Sequence, residues 1–386
     1  MRETELEQSG EQSGEQSGEQ GGVNGDDLKV LIPSAGRSTP DPRSGERREG
    51  LVVALAPGLF EVAADDGVSY LCTLRGRLRR QRPAPRIAPG SINLRASKGV
   101  RHGATLTAPA FETPALIRIA PGDHVVISPL PGGEGVIEEV APRRTALARA
   151  RSEAGTEQTL LANADVAALV FATREPEPRF GLLDRYLALC EHAGVLAVIC
   201  MNKVDLGATA ELERTVAVYA GLGYPVIWTS ATTGAGLDEL RARITGNISL
   251  LTGPSGVGKS SLTNMLIPGA TQRVGEISQA THKGRHTTTG ARLLAFPGGG
   301  WLADSAGIRE LGLWNVPASE LSRCFVELRD LDGTCLYEDC QHSANEEGCA
   351  FREALEQGAI TPERYASFER LLDEARAEEA QRRPGR

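Results

Sequence analysis

Residues 253–260 read GPSGVGKS, between an apolar run, ISLLT (248–252), and a helix-compatible stretch, SSLTNML (260–266). The pattern G-x-x-x-x-G-K-[ST] between a strand and a helix is a phosphate-binding loop, and few folds accommodate one. Gly253, Gly256 and Gly258, with Pro254, Ser255 and Val257 between them, let the backbone wrap phosphate oxygens. Lys259 brings a compact charge to the β/γ-phosphates, Ser260 is the expected Mg²⁺ ligand, and Ser261 continues the helix start. That helix directs the positive end of its dipole at the anion. The surrounding domain is therefore expected to be an α/β sheet with its ligand at the carboxyl ends of the strands.

NKVD (202–205), which normally follows a phosphate loop, stands about fifty residues before it. The Asp205 carboxylate can accept both N1–H and N2–H₂ of guanine, a donor pair that adenine lacks. Asn202 can bond the purine N7/O6 side or brace the loop, the Lys203 stem can cover the ring, and Val204 completes the turn. One β-α unit later TSA (229–231) offers backbone N–H groups at Ser230 and Ala231 to guanine O6. After the phosphate loop come HTTTG (286–290) and DSAG (304–307). One hydroxyl of Thr287, Thr288 and Thr289 closes on Mg²⁺, with Thr288 taken as the ligand. Asp304 holds Mg²⁺ through water, and the Gly307 N–H lies near the γ-phosphate. These are the parts of a GTP-dependent switch in the order G4-G5-G1-G2-G3, a cyclic rotation of the usual G1-to-G5 order. Chain ends usually lie close together at a domain surface, so such a rotation preserves the fold. Helix 236–244 and the TGN turn (245–247) form the splice, and DSAG now leads almost directly into the last domain. Hydrolysis could move that domain through this short connection.

The net charge of −8 hides a split: residues 72–151 hold fourteen Arg or Lys against five Asp or Glu. A basic region inside an acidic chain implies a local anionic partner or a solvated arginine-rich surface. Only five of 42 basic residues are lysines, and Lys203, Lys259 and Lys283 all fall in motifs. No apolar run is long enough for a membrane span, and no secretory signal pattern opens the chain, so a cytoplasmic monomer is expected. An odd count of seven cysteines does not read as a disulfide framework.

A multidomain chain is expected. Residues 1–48, with three copies of EQSG, form a disordered low-complexity arm. Residues 49–145 form an OB-like β-barrel with an inserted loop at 83–115, residues 146–315 the permuted P-loop GTPase domain, and residues 316–386 a helical zinc-binding domain. In the last of these, Cys335-x₄-Cys340-x-His342-x₆-Cys349 supplies four ligands and no open position, which suits one structural Zn²⁺.

With NKVD, GPSGVGKSSL, GRHTTT, DSAG and the C-x₄-C-x-H…GCA set in place, residues 50–380 resemble the circularly permuted, ribosome-small-subunit-dependent GTPase family called RsgA or YjeQ. The resemblance implies a GTPase that binds the small ribosomal subunit late in maturation and is stimulated by it, with the barrel and zinc domains on rRNA. Ala306 stands where that family pattern expects proline, and the His342–Cys349 spacer is one residue longer than usual. Ile308 cannot orient water, so intrinsic hydrolysis is expected to be slow. The resemblance suggests His286 for that task; packing of the loop by His286 and a group supplied by a partner are the other options. An rRNA-binding factor with purely structural GTP, and an ATP-using enzyme on the same loop, are the rival readings.

Overall fold

Alternation of inward apolar and outward polar residues builds the first unit. The computed structural model describes residues 47–76, 118–150, 157–270, 291–303, 316–342 and 346–382. Strands β1 (Arg48–Ala56), β2 (Leu59–Ala64), β3 (Ser69–Leu74), β4 (His124–Leu130) and β5 (Glu134–Val140) close a barrel in the order β1-β2-β3-β5-β4. Val52, Val62, Cys72, Ile127 and Ile137, one from each strand, are fully buried inside it. β1 pairs with both β2 and β4, and the parallel β3–β5 pair completes the closure, leaving no free edge. The run LVVALAPGLFEVAA (51–64) is two strands, because Gly58 at φ 76° turns the chain back. Of the expected 1–48 arm, residues 1–46 lie outside the described residues and Arg48 already belongs to β1; the inserted loop at 83–115 also lies outside them.

Asp123 is buried and accepts a fork from Arg143, Nε to Oδ1 at 2.7 Å and Nη2 to Oδ2 at 2.8 Å. This bidentate pair ties the barrel to the following segment. That segment, expected to open the α/β domain at 146, is instead an antiparallel hairpin, β6 (Ala146–Ala150) with β7 (Glu157–Ala162). Leu147 and Leu161 pack into the core of the next unit, which gives the hairpin its apolar face.

The central sheet contains β8 (Val166–Ala172), β9 (Leu196–Asn202), β10 (Val226–Trp228), β11 (Ile248–Thr252), β12 (Leu293–Ala295) and β13 (Trp301–Ala303). Its order is β10-β9-β8-β11-β13-β12, parallel except for β12. VAALVFA in β8 is buried throughout, as both faces of a central parallel strand must be. Helix α1 (Phe180–Ala193) covers one face through Leu183 and Leu187. Helices α3 (Leu237–Ile244) and α4 (Lys259–Leu266) cover the other through Leu240 and Leu262. Helix α2 (Ala210–Gly221) lies on the α1 side and is capped by Thr209, whose hydroxyl accepts from Leu212 N at 3.1 Å.

The last unit begins with a 3-10 helix, Ala318–Cys324, and ends with α5 (Ala350–Glu356) and α6 (Pro362–Arg382). Phe325, Phe351 and Phe368 form its aromatic core with edge-on contacts at 5.4–5.5 Å. Full burial of each such ring contributes about 1.5–3 kcal/mol.

Candidate nucleotide site and metal centre

β11 ends at Thr252, and the chain turns through 253–258 into α4. Gly253 has φ 143°, and a Cβ there would stand 2.0 Å from the Val170 carbonyl oxygen of β8. Only glycine permits that approach. Gly258 has φ 95°, and its Cβ would meet Asn202 Nδ2 at 2.4 Å. Ser255 and Gly256 are exposed on the loop and Ser260 and Ser261 on the first turn of α4, whereas the Val257 side chain anchors the loop in the core. Lys259 Nζ lies over the loop and donates to the carbonyls of Gly253 at 2.8 Å and Pro254 at 2.5 Å.

Asn202 ends β9 and is 1% exposed. Its Nδ2 donates to the Val257 carbonyl at 2.8 Å, and its Oδ1 accepts from Thr229 Oγ1 at 3.1 Å. Asn202 braces the phosphate loop, with one N–H and one lone pair of its amide engaged by protein. Residues 55 apart in sequence are thus joined by one buried bond. Lys203 takes the left-handed conformation at φ 64°; its carbonyl accepts from Thr173 Oγ1 at 2.8 Å and its ammonium donates to the Glu175 carbonyl. Val204 N donates to the Thr229 carbonyl at 3.1 Å. Asp205 is exposed and accepts from the buried Ser230 hydroxyl, which in turn accepts from Thr232 N at 3.2 Å and Thr233 N at 3.1 Å. Ala231, partly buried, lies in the turn held this way. The structure brings the NKVD, TSA and phosphate loops together at the carboxyl ends of β9, β10 and β11. His286, Thr287, Thr288, Thr289, Asp304 and Gly307 lie outside the described residues.

Thr173, Glu175 and Pro176 escaped the sequence reading. They follow β8, and Pro176 Cδ stands 3.6 Å from where a Gly256 Cβ would be. Their place after a central strand, with a proline pair in REPEP, was the available signal.

The ligand atoms of Cys335, Cys340, His342 and Cys349 all lie within 4.8 Å of one another, a set that could hold one metal ion. His342 Nδ1 is 3.6 Å from Cys335 Sγ, 3.5 Å from Cys340 Sγ and 3.7 Å from Cys349 Sγ. The imidazole stacks on Phe351 at 4.0 Å between centroids, and its φ of 57° turns the chain back toward the thiols. Burial holds the His342 pKa below its ordinary value, favouring the neutral imidazole that ligates metals. Burial pushes the Cys340 thiol up to about 11 and raises that of Cys335. A bound cation reverses that preference by taking the thiolates as ligands.

The phosphate loop is on β11 and its buried neighbour Asn202 is on β9, earlier in the chain, so this is a P-loop GTPase fold in circularly permuted order. Comparison narrows the class. The RsgA GTPase family profile matches residues 140–314. A small ribosomal subunit biogenesis GTPase RsgA of Pseudomonas aeruginosa is 47% identical over 262 residues, 67% of this chain and 76% of the relative. Its counterpart in Gemmatimonas aurantiaca is 38% identical over 84% of this chain and 96% of its own length. The chain belongs to the RsgA GTPase family. The crystal structure of YjeQ from Thermotoga maritima aligns with a TM-score of 0.63 at 32% identity, over 86% of this chain and 99% of that one. YloQ, a circularly permuted GTPase, shares the fold at 24% identity and a TM-score of 0.61, over 90% of this chain and all of that one.

Proposed function

We propose that this protein is a GTP hydrolase that acts in small ribosomal subunit maturation, binding the subunit and its rRNA and switching with nucleotide state. The observation that carries the reading is the buried Asn202–Val257 bond, which holds the guanine-side and phosphate-side loops against each other. Asp205, aligned by Ser230, selects guanine, with Lys203 along the ring and Val204, Ser230 and Ala231 shaping the pocket. The backbone of 253–261 and the Lys259 ammonium receive the phosphates. Ser260, Thr288 and Asp304 would hold Mg²⁺, which neutralises phosphate charge when bound. Water attacks the γ-phosphorus, the bond to the β–γ bridging oxygen breaks, and GDP keeps that oxygen's electrons; Gly307 N–H and His286 serve the γ-phosphate and the water. Names of the relatives, family membership and the basic 72–151 segment support the ribosomal partner. We infer a cytoplasmic monomer; among the described residues no helix is long and apolar enough to cross a membrane.

The metal we assign is a single structural zinc ion. Zn–S near ~2.3 Å and Zn–N near ~2.0–2.1 Å at tetrahedral angles place sulfur and nitrogen about 3.6 Å apart. The observed 3.5–3.7 Å fits that spacing.

The deciding experiment measures phosphate release from GTP by the purified protein, alone and with purified small subunits, with ATP as control. Slow GTP turnover strongly raised by small subunits is expected. Turnover indifferent to subunits removes the ribosomal reading, and equal use of ATP removes the guanine assignment.

A further inference from the structure

Between the first and last metal-binding residues the chain displays two large apolar side chains to solvent. Leu336 is 71% exposed and Tyr337 is 58% exposed, more than any other large apolar residue among those described. The display is built. Leu336 N donates to the Gly348 carbonyl at 2.9 Å, and Cys340 N donates to the Tyr337 carbonyl at 3.2 Å. Gly348 admits no side chain, because a Cβ there would lie 2.6 Å from Leu336 Cβ. An ordered loop gives up little further freedom when it binds, which favours such a knob as an anchor.

Its surroundings are acidic. Residues 335–349 contain Glu338, Asp339, Glu346 and Glu347 and no Arg or Lys. Described cations of the same unit are directed to partners in the chain: Arg323 to Asp332, Arg329 to Glu191, Arg352 to Glu356 and to the Glu346 carbonyl, and Arg376 to the Gln341 carbonyl. Stacking Tyr337 on a nucleobase would carry phosphates within a Debye length, about 8 Å, of Glu338 and Asp339, which repel them. An apolar pair, one of them tyrosine, inside a charged rim matches a protein interface. We infer that the Leu336–Tyr337 knob docks in an apolar socket on a basic protein surface of the small ribosomal subunit, not on its RNA. The inference rests on the subunit being the partner, as proposed above.

The sign of a charge-reversal effect separates the two partners. Labelled full-length protein is titrated with purified small subunits, unaltered and as Leu336→Ser/Tyr337→Ser and Glu338→Lys/Asp339→Lys, each verified for one zinc per chain and unchanged GTP turnover without subunits. Both double variants are expected to bind at least tenfold more weakly. A lysine pair that leaves binding equal or tightens it overturns the inference, tightening being the signature of an RNA partner. Tyr337→p-benzoylphenylalanine supplies a readout that needs no loss of folding. Its photoadduct on the subunit is expected to survive ribonuclease and be lost to protease; an RNA adduct, or none from bound protein, overturns the inference. Failure of the unaltered protein to bind subunits at all would overturn the functional reading along with it.

Discussion

Asn202 holds two loops with one amide, and its removal has a size that can be stated. Asn202→Ala leaves the Val257 carbonyl buried without its donor and frees Thr229 Oγ1 of its acceptor. An unsatisfied buried polar group costs about 1–3 kcal/mol. If that cost falls on the nucleotide-competent loop pair, guanine nucleotide affinity drops roughly 5- to 150-fold. Titration with a fluorescent GDP analogue reads this directly. Asn202→Asp matches the size but presents a carboxylate to the Val257 carbonyl, so it is not expected to rescue binding. Equal affinity in both variants and the parent would show that the two loops are held by other contacts.

At the scale of elements, a buried cation helps to fasten the last unit to helix α1. Arg364 on α6 forks Glu327 through Nε at 2.7 Å and Nη2 at 2.9 Å, and its Nη1 reaches Asp184 of α1 at 2.7 Å. Its guanidinium lies 4.5 Å from the Phe325 ring centroid, and Tyr219 of α2 donates to the same Asp184 at 2.7 Å. Removing one partner of such a network strands the others, at a cost of about 3–5 kcal/mol. Arg364→Ala should lower stability to chemical denaturation by that amount, and Arg364→Lys should recover little, since one ammonium cannot serve both carboxylates in this geometry. A metal ion held by the Cys/His cluster would bear on the same unit through α5, because Cys349 is the residue that caps it. Chelation is expected to unfold α5 and loosen α6 while nucleotide binding persists, since the NKVD, TSA and phosphate loops follow β9, β10 and β11. Far-UV circular dichroism and the GDP titration, run on the same chelated sample, check both halves.

Across the molecule, the buried thiols set an alkaline limit. Burial pushes Cys72, Cys190, Cys200 and Cys324 up to about 12 from an ordinary 9.0. The unfolded chain releases these protons near pH 9, whereas the folded one holds them to about 12. Between those values the unfolded state binds fewer protons, so stability falls as pH rises. The contribution is complete below pH 9 and is lost through about 12. Urea midpoints are expected to be level from these groups up to pH 9 and to decline above it, with Cys200→Ala reducing the slope. A midpoint that rises with pH above 9 would contradict the burial of these thiols.

The chemistry of the nucleotide loops was legible because it depends on residue type at short spacing: GPSGVGKS, NKVD and TSA can be read without knowing what surrounds them. Their rotated order was legible too, since order is a property of the chain. The Cys/His spacing likewise pointed to four ligands that the fold then gathered around one position. What depends on distant partners was not. The brace by Asn202 was one of two roles its motif offered, but its Val257 partner, like the Thr173–Glu175 collar on Lys203 and the Arg364 hub, lies far off in sequence, where local pattern cannot pair residues. The β6–β7 hairpin was hidden for a related reason, its short strands taking their apolar faces from the neighbouring core. By itself the sequence determined which groups this protein possesses and the class of ligand they suit. Only the tertiary structure decided which of those groups are spent on one another and which stay free for a ligand, because burial and hydrogen-bond saturation belong to the packed molecule.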